Sequence, residues 1–209
     1  MARSHSSTRW LQEHFTDPYV KRAQAEGWRS RAVFKLGELI DRGRLLKPGM
    51  VAVDLGAAPG GWSQMMRERL GADGRVIAMD MLPMQGIAGV DFVLGDFRQP
   101  EALERLNDML AGAPVDLVLS DMAPNLTGMT AIDQPQMMEL AELADDFAMR
   151  HLRFGGAFLT KLFQGAGFDQ YVRRLRSRYR QVSIRKPKAS RARSPEVYAL
   201  AIGKRADRK

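Results

Sequence analysis

From residue 50 onward, two kinds of hydrophobic pattern alternate along the chain. Short runs dense in apolar residues predict strands at "MVAVDL" (50–55), "RVIAMD" (75–80), "VDFVLGD" (90–96), "VDLVLSD" (115–121), "GAFLTKLF" (156–163), "QVSIRKP" (181–187) and "VYALAIG" (197–203). Between them, "GWSQMMRERLG", "PEALERLNDMLAG", "PQMMELAELADDFAMRHLR" and "FDQYVRRLRSRY" carry apolar residues at helical spacing. This alternation predicts an α/β fold around a mostly parallel sheet. The last two strands leave no room for a helix between them, so they are expected to pair antiparallel.

Before residue 50 the pattern is helical. In "SRAVFKLGELIDRGRLLKPG", Val33, Leu36 and Ile40 share one face, Ser30 stands at the N-cap and Gly43 at the stop. No internal repeat or low-complexity tract appears. With 209 residues the chain is long enough for one domain with a substantial core. The expectation is a single domain over 1–209, in which a basic helical appendage (1–48) joins a sheet domain (49–209).

Four predicted strands end in an acid or meet one just beyond: Asp54, Asp80, Asp96 and Asp121. Ligands of open α/β sheets bind at the carboxyl ends of the strands, so these acids are expected in one crevice. Gathered there they would repel one another, unless a ligand brings hydroxyls, an amine or positive charge. The loop "GAAPGG" follows the first strand; its glycines let a ligand approach the backbone, and Pro59 stiffens the turn. It fits neither G-x-G-x-x-G nor G-x-x-x-x-G-K-[ST], and it contains no Lys or Arg. Asp80 lies twenty residues after Gly60, a spacing at which an acid accepts both hydroxyls of a ribose. A nucleoside ligand without a large negative charge follows. S-adenosylmethionine fits, with ribose, adenine, amine and sulfonium; a dinucleotide fits worse, because its pyrophosphate would face acids. Taken singly, Asp54 also reads as a brace for the glycine loop, and Asp80 and Asp96 as ordinary strand-end acids.

Composition narrows the setting. No apolar run approaches the ~18 residues of a membrane span, so no membrane partner is expected. The opening "MARSHSSTRW" is basic and serine-rich without the apolar centre of a secretory signal. The chain has no cysteine, which excludes disulfides and thiolate zinc sites and suits a cytoplasmic location. None of its three histidines sits at ligand spacing, so no metal is expected. The net charge of +8 is unevenly spread: residues 1–48 balance at +5, residues 49–166 at −8 and residues 167–209 at +11. Basic ends around an acidic middle favour a polyanion held by surfaces built from the two ends. Arg3, Arg9, Lys21, Arg22, Arg29 and Arg31 supply one end; Arg173, Arg174, Arg176, Lys186, Lys188, Arg191 and Arg193 supply the other.

Two further stretches carry candidate chemistry. In "SDMAPN" (120–125), Asp121 is expected in the crevice, beside the reactive end of the ligand. In "LTKLFQG", Lys161 interrupts an apolar run. Burying a charged lysine in a central strand is costly, so Lys161 is either an edge-strand lysine reaching water or an amine with work to do.

Together "DLGAAPGGWSQ", "SDMAPN", "KLFQG" and "SRARSPEVY" resemble the RrmJ/FtsJ family of ribose 2′-O-methyltransferases, from about Trp10 to the end of the chain. "DLG-x-x-PGG" alone indicates a methyltransferase; the four motifs in this order are far more specific. The resemblance is closest to the bacterial enzymes that act on a uridine of 23S ribosomal RNA in the large subunit. It implies a class I, Rossmann-like methyltransferase fold: seven strands, mostly parallel, with helices on both faces. It also implies S-adenosylmethionine as methyl donor and a catalytic tetrad, carried by motif onto Lys35, Asp121, Lys161 and Glu196. Gly60, Trp62, Asp80, Asp96 and Asp121 match the family's cofactor-binding positions. Pro195 and Ala166 depart from the family pattern without removing a tetrad member. Physical reading alone does not select Lys35, on the polar side of its predicted helix, or Glu196, an ordinary acid before the last strand.

The expected reaction is in-line methyl transfer to a ribose 2′-oxygen. Lys161 is the candidate general base, with Lys35 as a nearby cation, Asp121 orienting the amine and Glu196 holding Lys35 or ordering the ribose. The four groups are expected to titrate as a coupled set. An accessible 2′-hydroxyl favours RNA over DNA. The expected partner is large-subunit ribosomal RNA or the 50S particle, and the protein is expected to be a monomer without a protein partner. A tRNA ribose methyltransferase, or a ribosome assembly factor on the same fold without turnover, are the alternatives.

Overall fold

The computed structural model describes residues 16–43, 45–191 and 193–206. Seven strands, β1 (Val51–Leu55), β2 (Arg75–Asp80), β3 (Val90–Leu94), β4 (Val115–Ser120), β5 (Leu152–Phe163), β6 (Tyr179–Arg185) and β7 (Glu196–Lys204), form one sheet in the order β3-β2-β1-β4-β5-β7-β6. The strands from β3 through β5 pair in parallel, and β7 runs antiparallel to both of its neighbours. The expected antiparallel pairing of the last two strands is present. That β7 also inserts between β5 and β6 is a long-range choice that local pattern does not encode.

The helices are α1 (Pro18–Ala25), α2 (Ala32–Gly43), α3 (Gly61–Leu70), α4 (Pro100–Leu110), α5 (Thr130–His151) and α6 (Phe168–Arg178). Side chains alternate across a strand, and the core divides accordingly. Val53, Leu55, Ile77 and Val118 face α4, α5 and α6, whose Leu106, Ala144 and Leu175 pack with them. Ala52, Val76, Leu117 and Leu119 face α2 and α3, which contribute Val33, Leu36, Ile40, Trp62 and Met66. The apolar face read from the sequence of α2 is thus buried on the sheet, and the Ser30 hydroxyl accepts from the backbone of Ala32 at 3.3 Å.

Two boundaries differ from expectation. β5 begins at Leu152 rather than 156, and its register against β4 shifts between Val115 and Leu117. α5 begins at Thr130, which leaves Pro135 inside it. The Asp133 carboxylate accepts from Thr127 N, Thr127 Oγ1 and Gly128 N, at 2.8, 2.8 and 3.0 Å, and so fixes the entry turn. Near the start of a helix, a proline forfeits a single backbone hydrogen bond.

Candidate active site

The parity that buries Leu117, Leu119 and Leu159 against α2 and α3 continues past the apolar runs. Asp121 lies two residues after Leu119, Lys161 two after Leu159, and Glu196 two before Tyr198, so all project to the face covered by α2. The register completes the placement: Ser120 pairs with Thr160, and Lys161 lies directly opposite Tyr198. Lys161 is 7% exposed on a strand flanked by β4 and β7, which removes the edge-strand reading.

Two ion pairs result. Lys161 Nζ lies 3.2 Å from Asp121 Oδ1 and also donates to the backbone carbonyl of Asp121. Lys35 Nζ donates to both oxygens of Glu196, at 2.7 and 2.9 Å. Tyr198 joins them: its hydroxyl donates to Asp121 Oδ1 at 2.8 Å, and its ring lies 5.9 Å from Lys35 Nζ. Burial first, then the charges of Asp121 and Glu196, push the Tyr198 phenol well above its ordinary pKa, so it stays a donor. Ser190 Oγ holds Glu196 Oε1 at 2.7 Å. Sequence reasoning missed both Tyr198 and Ser190. Tyr198 had one available signal, its place two residues after Glu196 on the same strand face.

Beside this cluster, a cavity of about 460 Å³ opens at the carboxyl ends of β1, β2 and β4 and beyond the end of β3. Asp80, Asp96 and Asp121 line it together with Gly56, Met79, Leu82, Phe97, Met122 and, from α5, Gln136, Glu139 and Leu140. That size suits a small molecule. Gly56, at φ +79°, allows the β1 loop to pass the β4 loop; a Cβ there would stand 2.8 Å from Met122 N. Backbone donors fix the Asp80 carboxylate: Ala58 N reaches Oδ2 and Leu82 N reaches Oδ1, both at 2.8 Å. The Arg98 guanidinium grips Asp96 through both oxygens, at 2.7 and 3.0 Å, and holds its carboxyl below the usual range. Arg98 is the one cation among the lining residues and is already engaged. Apolar walls carrying acids fit a nucleoside that bears hydroxyls, an amine and a positive charge, which are the groups of S-adenosylmethionine.

The fourth strand-end acid goes elsewhere. Asp54 has the parity of Ala52, so it points toward α3 and is fully buried, taking a 2.6 Å hydrogen bond from Ser63 Oγ. Burial, ahead of the nearby carboxylates, raises its pKa to about 7. It ties β1 to the first turn of α3 and does not line the cavity. Gly60 caps the start of α3, and Trp62 is buried against Tyr198, donating to the Ala32 carbonyl at 2.8 Å. Neither is among the residues lining the cavity. Pro59 follows a cis peptide bond in the same loop.

The two basic ends meet where a second cavity, of about 530 Å³, is lined by Asp17, Tyr19, Arg31, Lys188, Ser190, Arg191 and Arg193, next to the Glu196 partner. Not every arginine expected on that surface is available to it. Arg29 is spent on the carbonyls of Pro59, Gln85 and Gly86, Arg31 pairs with Asp17, and Arg174 is bound to Asp145 and Asp146 of α5. Arg3 and Arg9 lie outside the described residues. Among the described residues, no helix is long and apolar enough to cross a membrane.

The model of the FtsJ-like methyltransferase family matches residues 28–204. A protein of Xanthomonas euvesicatoria pv. vesicatoria named ribosomal RNA large subunit methyltransferase E is 66% identical over 204 residues, covering 98% of this chain and 97% of its own. The protein of the same name from Stenotrophomonas maltophilia strain K279a is 66% identical over 207 residues, 99% of each chain. Among solved structures, a ribosomal RNA methyltransferase from Plasmodium falciparum superposes with a TM-score of 0.77 at 26% identity, covering 85% of this chain and 98% of that one.

Proposed function

The chain belongs to the FtsJ-like methyltransferase family, and on that footing we propose that it methylates a ribose 2′-oxygen of a uridine in 23S ribosomal RNA of the large subunit, with S-adenosylmethionine as donor. The observation that carries this reading is the double position of Asp121, which lines the cavity and also holds Lys161. Donor site and proton acceptor are therefore adjacent. The names borne by the 66% identical relatives support the choice of large-subunit RNA.

In this reading Asp80 takes the ribose hydroxyls, Asp96 lies near the adenine, and the glycine loop with Gly60 and Trp62 shapes the methionine end. Bound there, S-adenosylmethionine supplies an electrophilic methyl group on a sulfonium. Lys161 Nζ would act in its neutral amine form, after its ammonium proton has left to solvent: it would take the proton of the 2′-hydroxyl as the oxygen gains the methyl group and S-adenosylhomocysteine is left, and Asp121 would stabilise the ammonium that forms again. Lys35, held by Glu196, adds a fixed positive charge where the oxygen becomes negative. Tyr198 keeps Asp121 in place between cavity and base. Phosphate contacts from the basic ends position the RNA without reading its sequence.

The test is incubation with methyl-labelled S-adenosylmethionine and, separately, large subunits lacking the modification, naked 23S ribosomal RNA and tRNA, with Lys161→Ala in parallel. Label on a 2′-oxygen of subunit RNA, lost in the variant, is expected. Label on tRNA alone would shift the substrate class. Cofactor binding with no label anywhere would favour an assembly factor.

A further inference from the structure

The end of the sheet opposite the catalytic centre carries a second, unassigned surface. β5 starts there at Leu152, β6 starts at Tyr179 and β7 ends at Lys204. A cavity of about 530 Å³ at this end is lined by Met149, Phe154, Ser177, Arg178, Arg180 and Arg205, with Ala206. Phe154 is 57% exposed, an unusual state for a phenylalanine on a strand. Seven residues separate it from Lys161 along β5, about 23 Å at strand spacing.

This surface is built rather than incidental. Arg180 lays its stem across Gly203, where a Cβ would stand 3.1 Å from Arg180 Cδ. Its guanidinium then rests over the Phe154 ring, 5.0 Å from the centroid. Arg205 is pinned by its backbone N–H to the Arg178 carbonyl at 2.9 Å and by its Nε to the Tyr179 carbonyl at 3.1 Å. Among the described residues neither Arg180 nor Arg205 has a carboxylate partner. Acids paired with other arginines at this end of the sheet are committed: Asp116 to Arg153, and Asp145 and Asp146 to Arg178. Two guanidiniums without a carboxylate partner among the described residues, beside an exposed aromatic ring that one of them covers on one side, suit phosphates and a base on the ring's other side.

We propose that this surface, formed by Phe154, Arg180 and Arg205, is a second RNA-binding site that anchors a segment of the substrate remote from the methylated nucleotide. The proposal rests on the RNA-methylating reading above, and it adds that the substrate wraps the sheet from end to end. A small isolated hairpin cannot span both sites; a long folded RNA can.

The experiment compares the wild type with Phe154→Ala and with Arg180→Glu/Arg205→Glu on three substrates: large subunits lacking the modification, naked 23S ribosomal RNA, and a short hairpin carrying only the target nucleotide. All three substituted residues are exposed and away from the catalytic cluster; cofactor affinity and hairpin methylation serve as controls for folding. Expected results are a KM for 23S RNA raised about tenfold with unchanged kcat, and a salt slope of 23S binding reduced by about 2 in the double variant. Hairpin kinetics should stay at the wild-type level. Unchanged KM and salt slope would overturn the proposal, as would a loss seen with intact subunits but not with naked RNA, which would assign the surface to a ribosomal protein. Because binding is read apart from turnover, a wild type that binds 23S RNA with this variant-sensitive slope yet labels none of it would sink the substrate reading and leave the second site standing.

Discussion

Two clusters of buried acids and bases lie in this molecule, and they are built from different cations. At the candidate active site, Asp121 and Glu196 are paired with Lys161 and Lys35. Between α5 and α6, the fully buried Asp145 is gripped by Arg174 and Arg178, which also reach Asp146. A guanidinium keeps its proton under all ordinary conditions, whereas a lysine amine can give one up or take one when its surroundings change. The arginine cluster therefore serves as a clamp between two helices. The lysine cluster sits beside a cavity, where the proposed function needs a group that exchanges a proton. Burial of a charged pair does not by itself mark a site; the kind of cation and the adjoining space do.

The largest expected effect comes from forcing one cluster to resemble the other. Lys161→Arg keeps a cation beside Asp121 but removes the amine proposed as proton acceptor. Methyl transfer under single-turnover conditions should fall by about 10³–10⁴, the upper part of what a general base contributes. Lys161→Ala should lose as much activity. The reverse exchange, Arg178→Lys, should leave kcat unchanged and cost about 1 kcal/mol in denaturant unfolding, because Nη1 of Arg178 bridges Asp145 and Asp146 and the shorter lysine amine reaches both less well. Comparable activity in Lys161→Arg and the wild type would remove Lys161 from the role of base.

Next in size is the loss of the clamp. Asp145→Ala strands two guanidiniums in a partly buried place with only Asp146 to share, and breaking a buried pair in this way costs about 3–5 kcal/mol. Urea unfolding should show that loss, while cofactor affinity of the folded fraction stays at the wild-type value. An activity loss without a stability loss would contradict the division of labour between the clusters.

What the sequence revealed of these clusters follows from what is local. The strands could be read from short apolar runs, and the acids at strand ends pointed to a ligand crevice, which Asp80, Asp96 and Asp121 do line. Asp54 is misplaced although the predicted strand ends correctly at Leu55: one residue before that end, it alternates with Leu55 and turns to the face covered by α3. The Lys35–Glu196 contact joins residues 161 apart. It depends on β7 inserting beside β5 and on α2 covering that face, two tertiary choices without a local signature; only the resemblance of motifs suggested it. The Asp145 clamp went unread because its residues look like solvated charges on two amphipathic helices, and Arg174 was accordingly assigned to the RNA surface.

A pH series sharpens the contrast further. Burial outweighs both guanidiniums and raises the Asp145 carboxyl to about 6. The folded state thus holds this proton more tightly than the unfolded chain, whose aspartates titrate near 3.9. The contribution is fully present below that value and is lost as pH rises through 6. Relative to Asp145→Asn, which does not titrate, the wild type should lose about 2 kcal/mol of unfolding free energy between pH 4 and pH 7. A difference that stays flat with pH would show that Asp145 is ionised throughout.

The smallest effect separates holding from reacting within the catalytic cluster itself. Tyr198→Phe deletes the hydroxyl that donates to Asp121 Oδ1 but preserves the ring packed on Trp62 and near Lys35. Asp121 keeps Lys161, so the cavity acid and the proton acceptor stay together, though less rigidly. Losing one hydrogen bond to a charged group costs about 1.5–3 kcal/mol when the partner is left dry. Asp121 is partly exposed and can recruit water, so about 1 kcal/mol is expected in unfolding, with kcat lowered about tenfold and cofactor affinity nearly unchanged. If cofactor affinity fell with kcat held constant, Tyr198 would belong to the donor pocket, and the link between the two ion pairs would be a matter of packing alone.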